Sequence, residues 1–456
     1  MRSKYRLRRL RQATVRGHRR AHYCTRRQQL QQARVQHLLQ EAKTAPARAS
    51  LPYNDSIKHL LKHAARLTPA KVVIPGGYGN NWAILKVPRH FSLTHAPNDS
   101  FRFLCALIRF MHKAPAAHLQ LDYEECVQLD LDASVCMDAV LRLFIDHHRN
   151  VRRRFGHRGR SCSVHAIHMV HDQVRKFFYS TGAHRSVKGY GKTYENIISC
   201  PLQVGIRDPA RKGRNEVIIT DLLEHLQKCL ARFNKKLTPK DEERFGDIIG
   251  EVLANAEEHS SLPLSYAIAH FEEFQDQQVH FGRFQIVIFN FGQTIYERLN
   301  DPVACRTKDT ILPQMRNLSE HYNKKKLFGL RKAPFQEESL WTLYALQDGV
   351  SSVSNHRGTG STQFITDFLA LRSKESNKKS LLTLLSGNTR IQFDGSYFIH
   401  ESENTVGETH RRITFNKSNS LLDPPDPKVV TFASSYFPGT LLYADIYLTY
   451  DHLQAA

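Results

Sequence analysis

Glu251 and Asn255 stand four apart in the stretch Glu251-Val-Leu-Ala-Asn255-Ala-Glu-Glu-His259. Phe245, Ile248, Ile249, Val252 and Leu253 recur at helical spacing through the same region, which predicts an amphipathic helix running on from Asp241. At that spacing a carboxylate and a carboxamide share one helix face. Together they could address a metal-bound phosphate and the water that attacks it. On a solvated helix the same pair would be only a surface contact, so the downstream residues decide. Gly191-Lys192-Thr193 invites another phosphate site, the P-loop, but that loop needs a glycine five residues before its Gly-Lys, where Ser186 stands. This segment reads as a linker.

Other chemistry is sparse. The eight cysteines, at 24, 105, 126, 136, 162, 200, 229 and 305, show no CxxC and no clustering with histidine at metal-ligand spacing. Scattered thiols argue against zinc and for a reducing compartment, the cytoplasm. His165, His168 and His171 read as surface histidines.

The elements that must position Glu251 and Asn255 belong to a chain of 456 residues, long enough for two globular domains and a tail. A hydrophobic content of 41% with 25 Phe and 17 Tyr is ample for packed cores. The formal charge of +22 is unevenly spread. Met1 to Arg48 holds 14 basic residues against Glu41 alone, so this arm carries +13 and the remainder +9. Such an arm, residues 1–50, can displace counterions from nucleic acid or anionic lipid, or remain a solvated tail. It also resembles an organelle transit peptide. With no apolar run of 18 residues, no membrane span is expected.

From residue 51 to about 205, strand-like runs (Val72 to Ile74, Ala83 to Val87, His118 to Leu121) alternate with helical stretches (Phe101 to Met111, Val135 to His147), an α/β pattern. Arg149 to Arg160 reads as an exposed loop. Residues 206–456 hold the Glu251–Asn255 helix, the strand Phe284 to Phe289 followed by Asn290-Phe291-Gly292-Gln293-Thr294-Ile295, then Gly358-Thr359-Gly360-Ser361 opening a helix, and finally Pro438-Gly439-Thr440-Leu-Leu.

In this order the four segments resemble the boxes of the GHKL ATPases, over roughly residues 215 to 450. The resemblance implies a Bergerat α/β sandwich with a mixed sheet, and ATP and Mg²⁺ as ligands. Carried over residue by residue, Glu251 positions or activates the nucleophile and Asn255 coordinates the magnesium. Asn290 meets the base, where the family normally has aspartate; an amide can accept through its oxygen but without charge assistance. Gly292, Gly358, Gly360 and Thr440 complete the nucleotide contacts, Gly358 and Gly360 where a helix N-terminus favours anions. Thr294 replaces the second glycine of its box. The long segment 300–357, with Lys324-Lys325-Lys326 and Arg331-Lys332, reads as an enlarged lid that folds over the phosphates.

Residues 51–205 resemble the STAS-like domains related to anti-anti-sigma factors, on the stretch from Leu119 through Asp130, the helix after it, and the amphipathic Val170 to Phe178 ending in Ser180-Thr181-Gly182. Where that family can carry a phosphoacceptor serine, this chain has Asp130-Leu-Asp132-Ala133-Ser134; Ser134 is either an acceptor or the helix N-cap. The resemblance implies a protein partner for this domain. Combined, these features imply a slowly hydrolysing, ATP-binding regulatory switch. The alternatives are a nucleic-acid-binding protein on a degenerate GHKL scaffold, a serine kinase acting on a STAS-type partner, or a pure interaction scaffold.

Overall fold

The computed structural model describes residues 52–73, 82–114, 118–155, 163–187, 194, 197–207, 214–273, 281–301, 308–324, 336–347, 350, 360–371, 379–403 and 409–456. The chain divides at Leu51/Pro52, and residues 52–456 form one compact unit. The basic arm, the Gly191-Lys192-Thr193 motif, Gly358 and the basic residues from Lys325 to Lys332 lie outside the described residues.

The first half runs α1 (Pro52–Ala64), β1 (Val72–Val73), β2 (Trp82–Lys86), β3 (His90–Phe91), α2 (Pro97–Lys113), β4 (His118–Asp122), β5 (Gln128–Leu129), α3 (Leu131–Phe155), β6 (Ser163–Ile167) and α4 (Asp172–Ser180). β2, β4 and β6 pair in parallel, with β1 antiparallel at the edge. Parallel neighbours need crossovers, and α2 and α3 supply them. Alternate residues Ala83, Leu85, Leu119, Leu121 and Val164 turn to the buried face. On the other face Trp82 lies 4.8 Å from the rings of both His118 and His165. The loop expected at Arg149 to Arg160 is corrected in its first part: Arg149 through Phe155 continue α3, with Arg149 in an i,i+3 ion pair with Asp146, while residues 156–160 lie outside the described residues.

Ser134 is not the cap of α3 but sits inside its first turn, 1% exposed, its hydroxyl without a hydrogen-bond partner among the described residues. A hydroxyl so enclosed offers no surface to a kinase. The polar work at this turn is done by Asp132, which accepts from the Thr94 and Ala133 N–H groups at 2.9 and 2.6 Å. Burial, helped by the neighbouring Asp130, pushes its carboxyl up to about 6. A folded pKa above the unfolded value of about 3.9 means stability is lost as pH rises between about 4 and 6. Asp132→Asn removes the charge, though its amide can accept from only one of the two N–H groups, so its stability relative to the parent is expected to be more favourable at pH 7 than at pH 4. Thermal melts at both pH values check this; an equal shift at both would contradict it.

The second half runs β7 (Gln203–Ile206), α5 (Arg214–Ala231), β8 (Lys235–Leu237), α6 (Pro239–His259), β9 (Leu264–Glu273), β10 (Gly282–Phe291), α7 (Ile295–Asn300), α8 (Lys308–Lys324), α9 (Glu337–Tyr344), α10 (Gly360–Ala370), β11 (Leu381–Phe393), the hairpin β12 (His400–Glu403) and β13 (Thr409–Arg412), β14 (Val430–Leu448) and β15 (Leu453–Ala455). Its five-stranded sheet has the order β11-β14-β10-β9-β7, and every pairing is antiparallel. The mixed sheet expected here is thus found in the first half instead. The difference follows from connectivity: β9 returns directly into β10 rather than through a crossover helix.

This sheet is a shared middle layer. Phe284 meets Phe245 of α6 on one face, with ring centroids 5.5 Å apart. On the other face Phe437 meets Phe101 of α2 at 6.4 Å, and Arg390 donates to the Thr94 carbonyl. Inside the segment expected to act as a lid, α8 and α9 share a small core of Met315, Leu318, Tyr322, Leu340 and Trp341 with Leu299 of α7, and the Trp341 indole N–H donates to Ser319 at 2.8 Å. Among the described residues no helix is long and apolar enough to cross a membrane.

Candidate functional site

α6 is built to present a polar face without losing its core face. Thr238 caps it, accepting from the Asp241 N–H, and Pro239 fits the first turn, where its missing N–H costs nothing. Phe245, Ile248, Ile249 and Leu253 are essentially buried against the sheet. Glu243, Asp247, Glu251 and Asn255, spaced by four, line another face. The Asn255 amide nitrogen donates to the Glu251 carboxylate at 3.1 Å. That bond fixes the carboxamide so that its oxygen, the atom able to bind a cation, turns away from Glu251. At the far end Arg207 donates to the carbonyls of Glu257 and Ser260, closing the last turn.

Helix α10 packs against α6 in the opposite direction. Leu371, immediately after α10, faces His452, which in turn faces Asp241 at the start of α6. Farther along, Asp367 lies near enough to Asp247 to add to the upward push that burial gives the Asp247 carboxyl. Seven residues back along α10 from Asp367 is Gly360, which at a rise of about 1.5 Å per residue stands level with the Glu251–Asn255 turn. The positive end of one helix thus lies level with the carboxylate and carboxamide of the other.

The sheet beneath carries a row of polar residues at this end. Asn290 on β10 is paired in register with Ser265 on β9 and Thr440 on β14, and Thr440 with Ser386 on β11. Directly opposite residues project to the same face. Phe284, Ile286, Ile288 and Asn290 alternate onto the α6 face, as the Phe284–Phe245 ring contact fixes. Asn290, Ser265 and Ser386 are buried. One row inward the same face carries the apolar Ala267, Ile288, Leu442 and Leu384, with Gln203 at the β7 edge. The Thr440 and Ser386 hydroxyls lie 3.1 Å apart, and Ser386 also accepts from the Ile295 N–H at 2.9 Å. A polar edge in front of an apolar floor suits a flat heteroaromatic ring with hydrogen-bonding groups on its rim.

Two glycines let the strands approach at this end. Gly439 has φ +155°, and a Cβ there would stand 2.0 Å from the Asn290 carbonyl oxygen. Gly292 has φ +156°, and a Cβ there would meet the Ser261 hydroxyl at 2.9 Å. Its N–H donates to the Pro438 carbonyl, and the next N–H, of Gln293, donates to Ser261 in the loop leaving α6. Thr294, where the sequence lacks the second glycine, caps α7 in a capping box with Glu297. This segment turns through a helix start rather than through a glycine.

Of the residues singled out from sequence, Glu251 and Asn255 touch one another, Asn290 and Thr440 are cross-strand neighbours, Gly292 follows directly on β10, and Gly360 opens α10. Gly358 lies outside the described residues. Ser265, Ser386 and Gly439 were not picked out as site residues. Only the Gly439-Thr440 pair gave a signal in sequence, because the row comes from register across strands far apart in the chain. Elsewhere His168, in the left-handed region at φ +53°, is tied to Asp122 at 3.0 Å, and with Glu124 these groups offer ligand atoms within 4.8 Å of one another at the ends of β4 and β6. Comparison with protein-family models, with curated proteins and with solved structures finds no match.

Proposed function

We propose that the protein is a magnesium-dependent ATP-binding switch of the GHKL type that hydrolyses its nucleotide slowly, with a STAS-like first half as the responding domain. The observation that carries this reading is the polar row Ser265–Asn290–Thr440–Ser386 beneath the Glu251–Asn255 turn, buried but for the half-buried Thr440. The base lies on the apolar floor with its amino edge toward Asn290 and Thr440. The phosphates run toward the N-terminus of α10, where Gly360 admits close approach to backbone N–H groups. The Asn255 oxygen meets the magnesium ion, and the acidic face of α6 adds attraction for the cation. Glu251 orients the attacking water and takes its proton.

The base contact has its own test. Asn290→Leu removes both hydrogen-bonding groups while keeping the side chain's size, and is expected to weaken ATP binding at least tenfold. Thr440→Val removes one hydroxyl and should cost a few-fold to tenfold, the worth of a single hydrogen bond. Equilibrium binding by both folded variants at the parent affinity would sink the assignment of the row to the base.

A further inference from the structure

On the face of the sheet away from α6, a hollow of about 60 Å³ opens between α1, α2, α3 and the strand ends. That is several times what one water molecule needs. Leu60, Phe101, Cys105, Val140, Phe291 and Phe437 contribute to its walls, which are almost entirely carbon. His63 brings a polar ring to them. His63 lines the hollow and is 6% exposed, and its Nδ1 is buried with no hydrogen-bond partner among the described residues. The ring is held flat against Tyr436, with centroids 4.8 Å apart and planes 9° apart.

The other polar groups nearby do not satisfy that nitrogen. The Tyr436 hydroxyl donates to Glu297 at 2.9 Å. Arg66 is exposed, its guanidinium over the Tyr436 ring at 6.0 Å. Burial, with His59 adding to it, pushes the His63 pKa down to about 3, so the ring is neutral at physiological pH. A water in the hollow would find this nitrogen and little else, whereas ordered buried waters hold two to four polar partners. An apolar molecule alone would leave the nitrogen unmet.

We infer that the hollow is a binding site for a small, mostly apolar molecule bearing a single hydroxyl, which meets Nδ1 of His63 while its carbon body fills the space among the phenylalanines. A hydroxyl can donate or accept, so it serves either tautomer of the neutral ring. The site is separate from the proposed nucleotide site, on the opposite face of the sheet, and does not depend on that reading.

The test uses the full chain without nucleotide and two probes, 1-butanol and xenon, which share apolar character but differ in the hydroxyl. Titration with 1-butanol should give a saturable shift of the His63 ring nitrogens by NMR. His63→Phe keeps the stack on Tyr436 and removes the nitrogen; it should bind 1-butanol up to about tenfold more weakly while xenon binding persists. Ala64→Leu narrows the hollow and should weaken both probes. An absent or unsaturable shift in the parent would overturn the proposal. So would a folded His63→Phe protein that binds 1-butanol as tightly as the parent, or one that loses both probes together.

Discussion

Replacing Asn255 by alanine is expected to make ATP binding indifferent to magnesium, lowering the affinity measured with the metal by about 10- to 100-fold, the range seen when a metal site loses one of its supports. The argument rests on the geometry of one hydrogen bond. Asn255 gives its amide nitrogen to Glu251, so the carboxamide is orientated with its oxygen turned away from Glu251, where the proposed magnesium ion would meet it. Asn255→Asp restores an oxygen and should recover much of the metal dependence. Glu251→Gln should behave oppositely. It retains nucleotide affinity, because the amide can still accept from Asn255, but it cannot take a proton, so turnover should fall by about 10²- to 10⁴-fold. Binding measured with and without magnesium, beside single-turnover hydrolysis, separates the two roles. Metal-dependent binding persisting at parent strength in Asn255→Ala would remove Asn255 from the site.

The second large effect belongs to Gly439. A methyl group there would stand 2.0 Å from the Asn290 carbonyl oxygen and 3.0 Å from the Phe291 Cα, both backbone atoms, at a φ that side chains rarely adopt. Neither neighbour can rotate away, so β14 must part from β10 beside the polar row. Overpacking and backbone strain together put the cost of Gly439→Ala at about 3–5 kcal/mol. Gly292→Ala is the control. Its φ is nearly the same, but its closest neighbour is the Ser261 hydroxyl, the end of a short side chain that can turn, so it should cost about 1–3 kcal/mol. Denaturant unfolding of the two variants decides, and equal losses would contradict this account of the strand crossing.

How much of this was legible in the sequence follows from how far apart the cooperating residues lie. Helix α6 was readable because its apolar residues repeat every 3.6 positions and its polar pair sits four apart, all within one local window. The runs Ala83 to Val87, His118 to Leu121 and Phe284 to Phe289 were readable as short apolar strands, and they lie in Trp82–Lys86, His118–Asp122 and Gly282–Phe291. The Arg149 to Phe155 segment was not, since its basic residues suggest exposure and a helix can be exposed along its whole outer face. Ser134 looked like a cap because it stands near a helix start, yet the helix begins three residues earlier and leaves it inside. The polar row was out of reach because Ser265, Asn290, Ser386 and Thr440 share a face only through register across four strands. The antiparallel second sheet escaped for a related reason, since strand direction is decided by connections rather than by the strands' own composition.

The most direct measurement for the central reading is calorimetric titration of the full chain with ATP, in the presence of magnesium and again in the presence of a chelator. The arrangement of Asn255, Asn290, Thr440 and the N-terminus of α10 predicts saturable binding of one nucleotide per chain, clearly tighter with magnesium than without it. No saturable heat with ATP and magnesium, from folded protein over a range of temperatures that excludes a coincidental zero enthalpy, would contradict it.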